Sequence, residues 1–467
     1  MISAGFSPVE APRKLHEFCS PPSAQGAEPP EGRARRRALW RLRDGLRPFQ
    51  GDKVRDRQGV WQSPRTVKCG WTLVGVPELA GQTRPGDARL TKSGRYAFVE
   101  VRHGEHGASF KGLVVCASVW ACPVCSASIR STRAKEVTQA VERWGRERVV
   151  LSSHTVRHGM GDDLRTLAAG VSNAWRSLTR SAAWKRLARR LGIAHSIRAL
   201  EFTHGANGWH PHLHTLFFFA DDSRSGGICT ADAETWRLGS PAQREAHGAI
   251  SALWRKAVRR VLGKEHVPDD VHGVDVRPCH SSSYVAKMGL EITDPGLTKR
   301  SRAGRSPWQI AHDLASYEGE GAQTVARRER DHSLWSTFVA GTKGRKMLTW
   351  SRGLKLASGI VDVSDDEAAE PLEQKPRPVG YVNLPTWKEL RRTEGAREAL
   401  LSAVESAAPS PSEKPLETWR LVHDADGVVM SAGELFEPMH RVVTEWLHDT
   451  GVWRPEDASG PRLRALH

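Results

Sequence analysis

Long apolar runs are missing from this chain. None approaches the roughly 20 residues that a helix needs to cross a bilayer, which excludes an ordinary helical membrane protein and any expected membrane partner. The beginning of the chain has no apolar signal-peptide core, so the cytoplasm is the expected compartment. Cysteine is sparse and odd in number, at seven, and it clusters. That argues against a secreted disulfide scaffold. Acid is in deficit: 53 Asp and Glu stand against 69 Lys and Arg, for a formal charge of +16. Such an excess points to an anionic partner, and nucleic acid is the usual one, although net charge cannot say which surface carries it. Tyrosine is scarce as well, with four in 467 residues.

What the chain does have is a concentrated stretch, Glu201 to Phe219, EFTHGANGWHPHLHTLFFF. Two strand-like runs flank Gly205-Ala206-Asn207-Gly208, and Asn-Gly between apolar runs signals an antiparallel hairpin. Alternate residues of a strand share a face. His210, His212 and His214 therefore fall on one side, and Leu213, Thr215 and Phe217 on the other. If the register sets Glu201 opposite the histidines, two imidazoles and a carboxylate converge. That donor set suits a divalent metal with open positions for substrate and water. The competing reading is a strand with histidines at its exposed end. The hydrolase pattern His-x-His-x-Asp-His is absent, because Thr215 and Leu216 follow His214.

A second cluster is Cys116, Cys122 and Cys125, with Cys69 as the natural fourth member. Zinc takes four thiolate or imidazole ligands in a tetrahedron, and Cys-x-x-Cys supplies two of them on one turn. His103 and His106 are fallback ligands, and a redox pair or buried free thiols are the alternatives. Cys19, Cys229 and Cys279 have no partner at ligand spacing.

Periodicity predicts a helix over 128–147, a strand over 148–157, and helix from 161 through 191 with acidic residues in its first turn. Strands follow at 197–203 and 210–219, a helix at 242–262, a strand at 271–277 and a short helix from Ser281 to about Ile292. The order is β-α-β-β-α-β, an α+β fold with an antiparallel sheet and helices on one face. Within the last helix, Tyr284, Lys287 and Glu291 share a face. A phenol, with an ordinary pKa of about 10, attacks phosphorus only when the phosphate is neutralised and a cation assists. Lys287 is the candidate cation. The alternative is an interfacial tyrosine whose hydroxyl reaches water.

Together these pieces resemble the HUH endonucleases, specifically the rolling-circle plasmid replication initiators (Rep) of actinobacterial type. The likeness is carried by Trp209-His210-Pro211-His212-Leu213-His214, Glu201-Phe202-Thr203-His204-Gly205, Tyr284-Val285-Ala286-Lys287, the Cys116–Cys125 segment and Thr349-Trp350-Ser351-Arg352-Gly353-Leu354. It covers about residues 65–357. The resemblance implies a ferredoxin/RRM-like HUH core preceded by a small zinc-binding segment. It implies Mg²⁺ or Mn²⁺ on His212, His214 and Glu201, and structural Zn²⁺ on the cysteines. Tyr284 would attack origin DNA, single-stranded or extruded at the nick site. The products would be a 5′-phosphotyrosine and a 3′-OH primer, passed on to a host helicase and replicative polymerase. The first family motif departs from its usual form, reading Ser153-His154-Thr155, which makes His154 either an extra ligand or a harmless substitution; His210 is another candidate ligand. His280 or Glu291 is the candidate termination base.

The implied layout is a flexible basic region at 1–60 and a cysteine-rich segment at 61–135. The HUH nicking domain follows at 145–300 and its basic extension at 301–357. A linker at 358–415 and a small helical tail at 416–467 complete it. The rival functions are a non-catalytic zinc-containing DNA-binding regulator and an HUH relaxase or transposase.

Overall fold

In the computed structural model the described residues are 30–51, 53–55, 59, 61–74, 98–104, 107–220, 240–278, 304–369, 377–393, 395–407, 420–424 and 427–431. Helix α1 (Pro30–Leu46) comes first. A short sheet follows, of β1 (Phe98–Gly104) and β2 (Gly107–Lys111). Next come α2 (Pro123–Trp144) and β3 (Val149–His154). Two helices, α3 (Leu164–Arg180) and α4 (Ala182–Leu191), lead into the hairpin of β4 (Ile193–Gly205) and β5 (Gly208–Phe219). Then come α5 (Pro241–Leu262) and β6 (Val274–Pro278). After the next described stretch begins at Gly304 stand α6 (Pro307–Ser316), α7 (Ala322–Thr342) and β7 (Leu348–Trp350).

The helices start where the sequence offers a cap. Asp163 accepts from Thr166 N at 2.8 Å, Ser181 from Trp184 N at 3.0 Å and Ser240 from Gln243 N at 3.1 Å. Each satisfies an amide that the first helical turn leaves without a partner. Asp163 is thus the cap itself, and no acidic residue occupies the first turn expected to hold one. At α6, Ser306 and Gln309 cap each other reciprocally.

The main sheet has the order β6-β3-β5-β4-β7, and every neighbouring pair is antiparallel. The expected α+β class with a central antiparallel sheet is therefore present. The short fifth strand, β7, falls within 301–357, the stretch expected as a basic extension of the core. Strand β5 is central, and its Phe217, Phe218 and Phe219 are each at most 1% exposed. A strand buried on both faces reads as a continuous apolar run for that reason.

The two faces differ. Leu200, Phe202, Trp209, Leu213, Phe217, Val274 and Val276 face helices α3, α4, α5 and α7 in the largest apolar cluster. On the opposite face, Val149, Ile197, Ala199, Leu216 and Phe218 pack against Val137, Ala140 and Val141 of α2. Trp144 of α2 donates to Phe219 O at 2.6 Å. The expectation of helices on one face is thus corrected. Helix α2 covers the second face at its apolar end, and the histidines stand farther along the same face, beyond Leu216.

Two terminal expectations also differ. Residues 358–415, expected as a linker, include β8 (Arg377–Asn383), which pairs with β1. They also include the helices Leu384–Leu390 and Ala396–Ala407. Trp387, Leu390, Leu400 and Val404 bury their side chains against Val99, Val101 and Leu113, forming a small second core. The acidic run before them hid this. Even that run is anchored, since Asp365 pairs with Arg133 at 2.7 Å. In the tail, Arg420–Asp424 and Gly427–Ser431 form a hairpin, where a helix had been expected. Within 1–60, expected as a flexible basic region, residues Pro30–Leu46 form helix α1, with Leu42 and Leu46 buried in the main core.

Candidate metal centres

The hairpin register is direct: Glu201 lies opposite His212, Thr203 opposite His210 and Ala199 opposite His214. Gly205 pairs with Gly208, so Ala206 and Asn207 make a two-residue turn. Gly208 has φ +86°, and a Cβ there would lie 3.0 Å from Gly159 O. Both the backbone conformation and the close approach favour glycine at this position.

Glu201, His212 and His214 present one donor atom each, all within 4.8 Å of one another. Glu201 Oε2 is 3.5 Å from His212 Nε2 and 3.4 Å from His214 Nε2. Ligands on adjacent corners of an octahedral divalent ion stand roughly 3 Å apart, so the two carboxylate–imidazole distances lie within a few tenths of an ångström of that spacing. The other ring nitrogens are engaged. His212 Nδ1 meets His210 O at 3.2 Å, and His214 Nδ1 meets Ser153 Oγ at 2.8 Å. Metal-binding imidazoles are commonly fixed through their second nitrogen in this way. The side chains are 26%, 13% and 19% exposed for Glu201, His212 and His214, which leaves an ion there open to substrate. Burial opposes the Glu201 charge, but the fields and hydrogen bonds of His214 and His212 hold its carboxyl well below the usual range.

His154 does not join this set. It pairs with Leu213, on the helix-covered face, and lies fully buried between Trp175 and Trp254. Its Nε2 is 3.1 Å from Ser152 Oγ. Ser153, one residue earlier, takes the place beside His214. His210 shares the metal face but stands outside the three-donor group, stacked between His158 at 4.6 Å and His212 at 4.9 Å.

Burial, and secondarily the charge of His214, pushes His154 down to about 3 from an ordinary 6.5. Above pH 6.5 both folded and unfolded forms are largely neutral, and protonation contributes nothing to the difference between them. As pH falls below that, only the unfolded chain binds the proton, so stability is lost progressively towards pH 3. Between pH 7 and pH 5 this amounts to about 2 kcal/mol. Urea unfolding should show that His154→Leu loses less stability than the unaltered protein over this interval. Equal losses would contradict the assignment.

The four cysteines converge independently of the hairpin. Cys69 follows the short helix Arg65–Lys68, Cys122 precedes α2, and Cys125 lies in the first turn of α2. Sγ separations are 3.5 Å for Cys69–Cys125, 3.7 Å for Cys116–Cys125 and 3.8 Å for Cys69–Cys122. Four thiolates around zinc, with bonds of about 2.3 Å, stand roughly 3.8 Å apart. All four cysteines are buried. Hydrogen bonds from Cys116, Cys122 and Cys125 push the Cys69 thiol far below its ordinary range. Ala117, next to Cys116, has φ +50°, rare for a residue with a Cβ, and it bends the chain at the cluster. His103 stays in β1, outside the group; His106 lies outside the described residues.

Tyr284, Lys287, His280 and Glu291 lie outside the described residues, as do Cys19, Cys229 and Cys279. Both flanks of the 279–303 segment are described. Pro278 pairs with Val150 in the sheet. At the other flank, Arg305 exchanges backbone hydrogen bonds with His204 at the hairpin tip, at 2.8 and 2.9 Å. Arg305 is held there by Asp331 and Asp313. Tyr317 is committed to the same network, donating to Asp331 at 2.8 Å.

These features define an α+β protein with, among the described residues, two groups able to hold metal ions, one of two imidazoles and a carboxylate and one of four thiols. Among curated proteins, the chain is similar to protein rep of Streptomyces lividans. The two are 28% identical over 303 residues, covering 55% of this chain and 66% of that protein. It is also similar to the neomycin resistance protein of Streptomyces cyanogenus, 31% identical over 249 residues, covering 44% of this chain and 56% of that protein. The matches thus span just under two thirds and just over half of these relatives' lengths. No family model matches, and no solved structure does. The resemblance to a Rep protein drawn from the motifs is borne out by the first relative. No helix among the described residues is long and apolar enough to cross a membrane.

Proposed function

We propose that this chain initiates rolling-circle plasmid replication by nicking and rejoining origin DNA, as an HUH-type endonuclease and strand transferase. The observation that carries the proposal is the meeting of Glu201 with His212 and His214 on the open part of a sheet face, each imidazole fixed through its Nδ1. The strand order and the elements between β3 and β6 fit the ferredoxin-like HUH core, with 145–300 as the nicking domain.

A bound Mg²⁺ or Mn²⁺ would neutralise the scissile phosphate. The Tyr284 oxygen attacks phosphorus, and the bond from phosphorus to the 3′ oxygen breaks. The phenol gives up its proton, the departing oxygen gains one, and Lys287 offsets the charge on the phenolate. The covalent link conserves the phosphodiester for rejoining, with His280 or Glu291 as the base that ends the round. The basic charge suits a strand of origin DNA held single-stranded or extruded at the nick. A host helicase and replicative polymerase would take over at the 3′-OH. The cysteine cluster acts as a structural zinc site.

Supercoiled plasmid carrying the origin, incubated with Mn²⁺, tests the nucleophile. The unaltered protein should nick it and leave a protein–DNA adduct resistant to detergent, and Tyr284→Phe should do neither. An adduct formed by the variant would move the nucleophile elsewhere. DNA binding by the unaltered protein without cleavage, in any divalent metal, would favour the zinc-containing regulator.

A further inference from the structure

Four arginines crowd the loop that carries Cys69. The Arg43 guanidinium lies against Gly70, where a Cβ would fall 1.8 Å from its Nη1, and Gly70 has φ +58°. Arg397 donates to Gly70 O at 3.1 Å, Arg391 to Trp71 O at 3.1 Å and Arg47 to Val67 O at 3.4 Å. Arg47, Arg397 and Arg391 sit 3.9, 4.7 and 5.5 Å from the Trp71 ring centre. Arg43 and Arg397 are only 4% and 7% exposed. Among the described residues a single carboxylate, Asp44, forms ion pairs with this group, and it does so with Arg43 and Arg397. Among the described residues Arg47 and Arg391 form no ion pair.

A half-buried group of four cations and one anion carries a surplus of about three positive charges, and buried charge is costly unless it is offset. Four neutral thiols would supply no offset. Four thiolates on a dication carry a net charge of about −2, one residue away from Gly70. We propose that Arg43, Arg47, Arg391 and Arg397 surround the loop of the Cys69/Cys116/Cys122/Cys125 site as its cationic neighbours, and that the site's zinc–thiolate charge is their counter-charge. The inference rests on the structural-zinc reading. It adds that the metal holds together parts of the chain that supply no ligand, namely α1 through Arg43, the turn after it through Arg47, and the 384–407 helical region through Arg391 and Arg397. These arginines are positioning residues, because none reaches a sulfur as a ligand.

The test uses the full chain loaded with Co²⁺, whose thiolate charge-transfer absorption reports the sulfur ligands directly. Affinity is measured by competition with a chelator, and folding by circular dichroism. Arg43→Met should weaken metal binding roughly tenfold or more and shift the charge-transfer band, while Arg43→Lys should recover most of the affinity. If Arg43→Met fails to fold, Arg391→Met, at a half-buried position, should still weaken binding measurably in a folded protein. A folded Arg43→Met or Arg391→Met with unchanged affinity and spectrum would overturn the inference and leave the zinc site standing. Absence of a thiolate band in the unaltered protein would instead overturn the zinc reading beneath it.

Discussion

Replacing His212 and His214 together by alanine should reduce metal-dependent nicking by at least about a thousandfold while leaving DNA binding nearly intact. The two imidazoles supply two of the three donors, and Glu201 alone is a weak, monodentate site. Both rings are largely buried, at 13% and 19% exposed, so the double change also removes some packing against the sheet face. The neighbouring Leu213 and Leu216 are fully buried and stay in place to hold the strand. Stability should fall modestly, because Glu201 loses the two rings whose fields and hydrogen bonds offset the burial of its charge. A plasmid-nicking titration with Mn²⁺, run beside a DNA gel shift, separates the two effects. Loss of both activities together would indicate a folding defect.

Cys122→Ser should have the largest effect on stability. The Cys122 thiol is 1% exposed, and its cluster belongs to the same apolar core as Phe202 and Trp209 of the hairpin. Trp120, between the cysteines, packs edge-on against Phe202 at 5.3 Å and donates to Arg345 O at 2.8 Å. Structural zinc contributes folding free energy outright, on the order of 10 kcal/mol in small zinc domains. Losing one of four ligands should therefore cost several kcal/mol and loosen the hairpin as well as the cysteine segment. Thermal unfolding should fall by ten degrees or more, and a strong chelator should reproduce the shift in the unaltered protein. An unchanged midpoint in both experiments would mean that the thiols stabilise the fold without metal.

The hairpin and its site were legible because strand alternation is local and rigid. Period two settles which histidines share a face, and the Gly-Ala-Asn-Gly turn then sets Glu201 opposite His212. Cys-x-x-Cys was legible for a similar reason, since a single turn brings its two thiols together. Strand β3 shows the limit. Its sequence, Val-Val-Leu-Ser-Ser-His, does not alternate, so nothing local tells whether Ser153 or His154 faces the metal side. The register assigns that place to Ser153 and buries His154 among tryptophans. Strand β7 is three residues long, too short for any period to show. The second core joins residues near 100 to residues near 400, and a pairing so distant leaves no local mark beyond the apolar spacing of Trp387, Leu390, Leu400 and Val404. The placement of α2 on the histidine face is likewise tertiary, decided by which apolar surface remained uncovered.

On the proposed reading, Glu201, His212 and His214 hold a catalytic divalent ion. Pulsed electron paramagnetic resonance of the protein with one equivalent of Mn²⁺ addresses it most directly, because nitrogen couplings count the bound imidazoles. The expected spectrum shows two coordinated imidazole nitrogens, one of which disappears in His212→Ala and one in His214→Ala. A tightly bound Mn²⁺ with no imidazole coupling, or couplings that survive both substitutions, would contradict it.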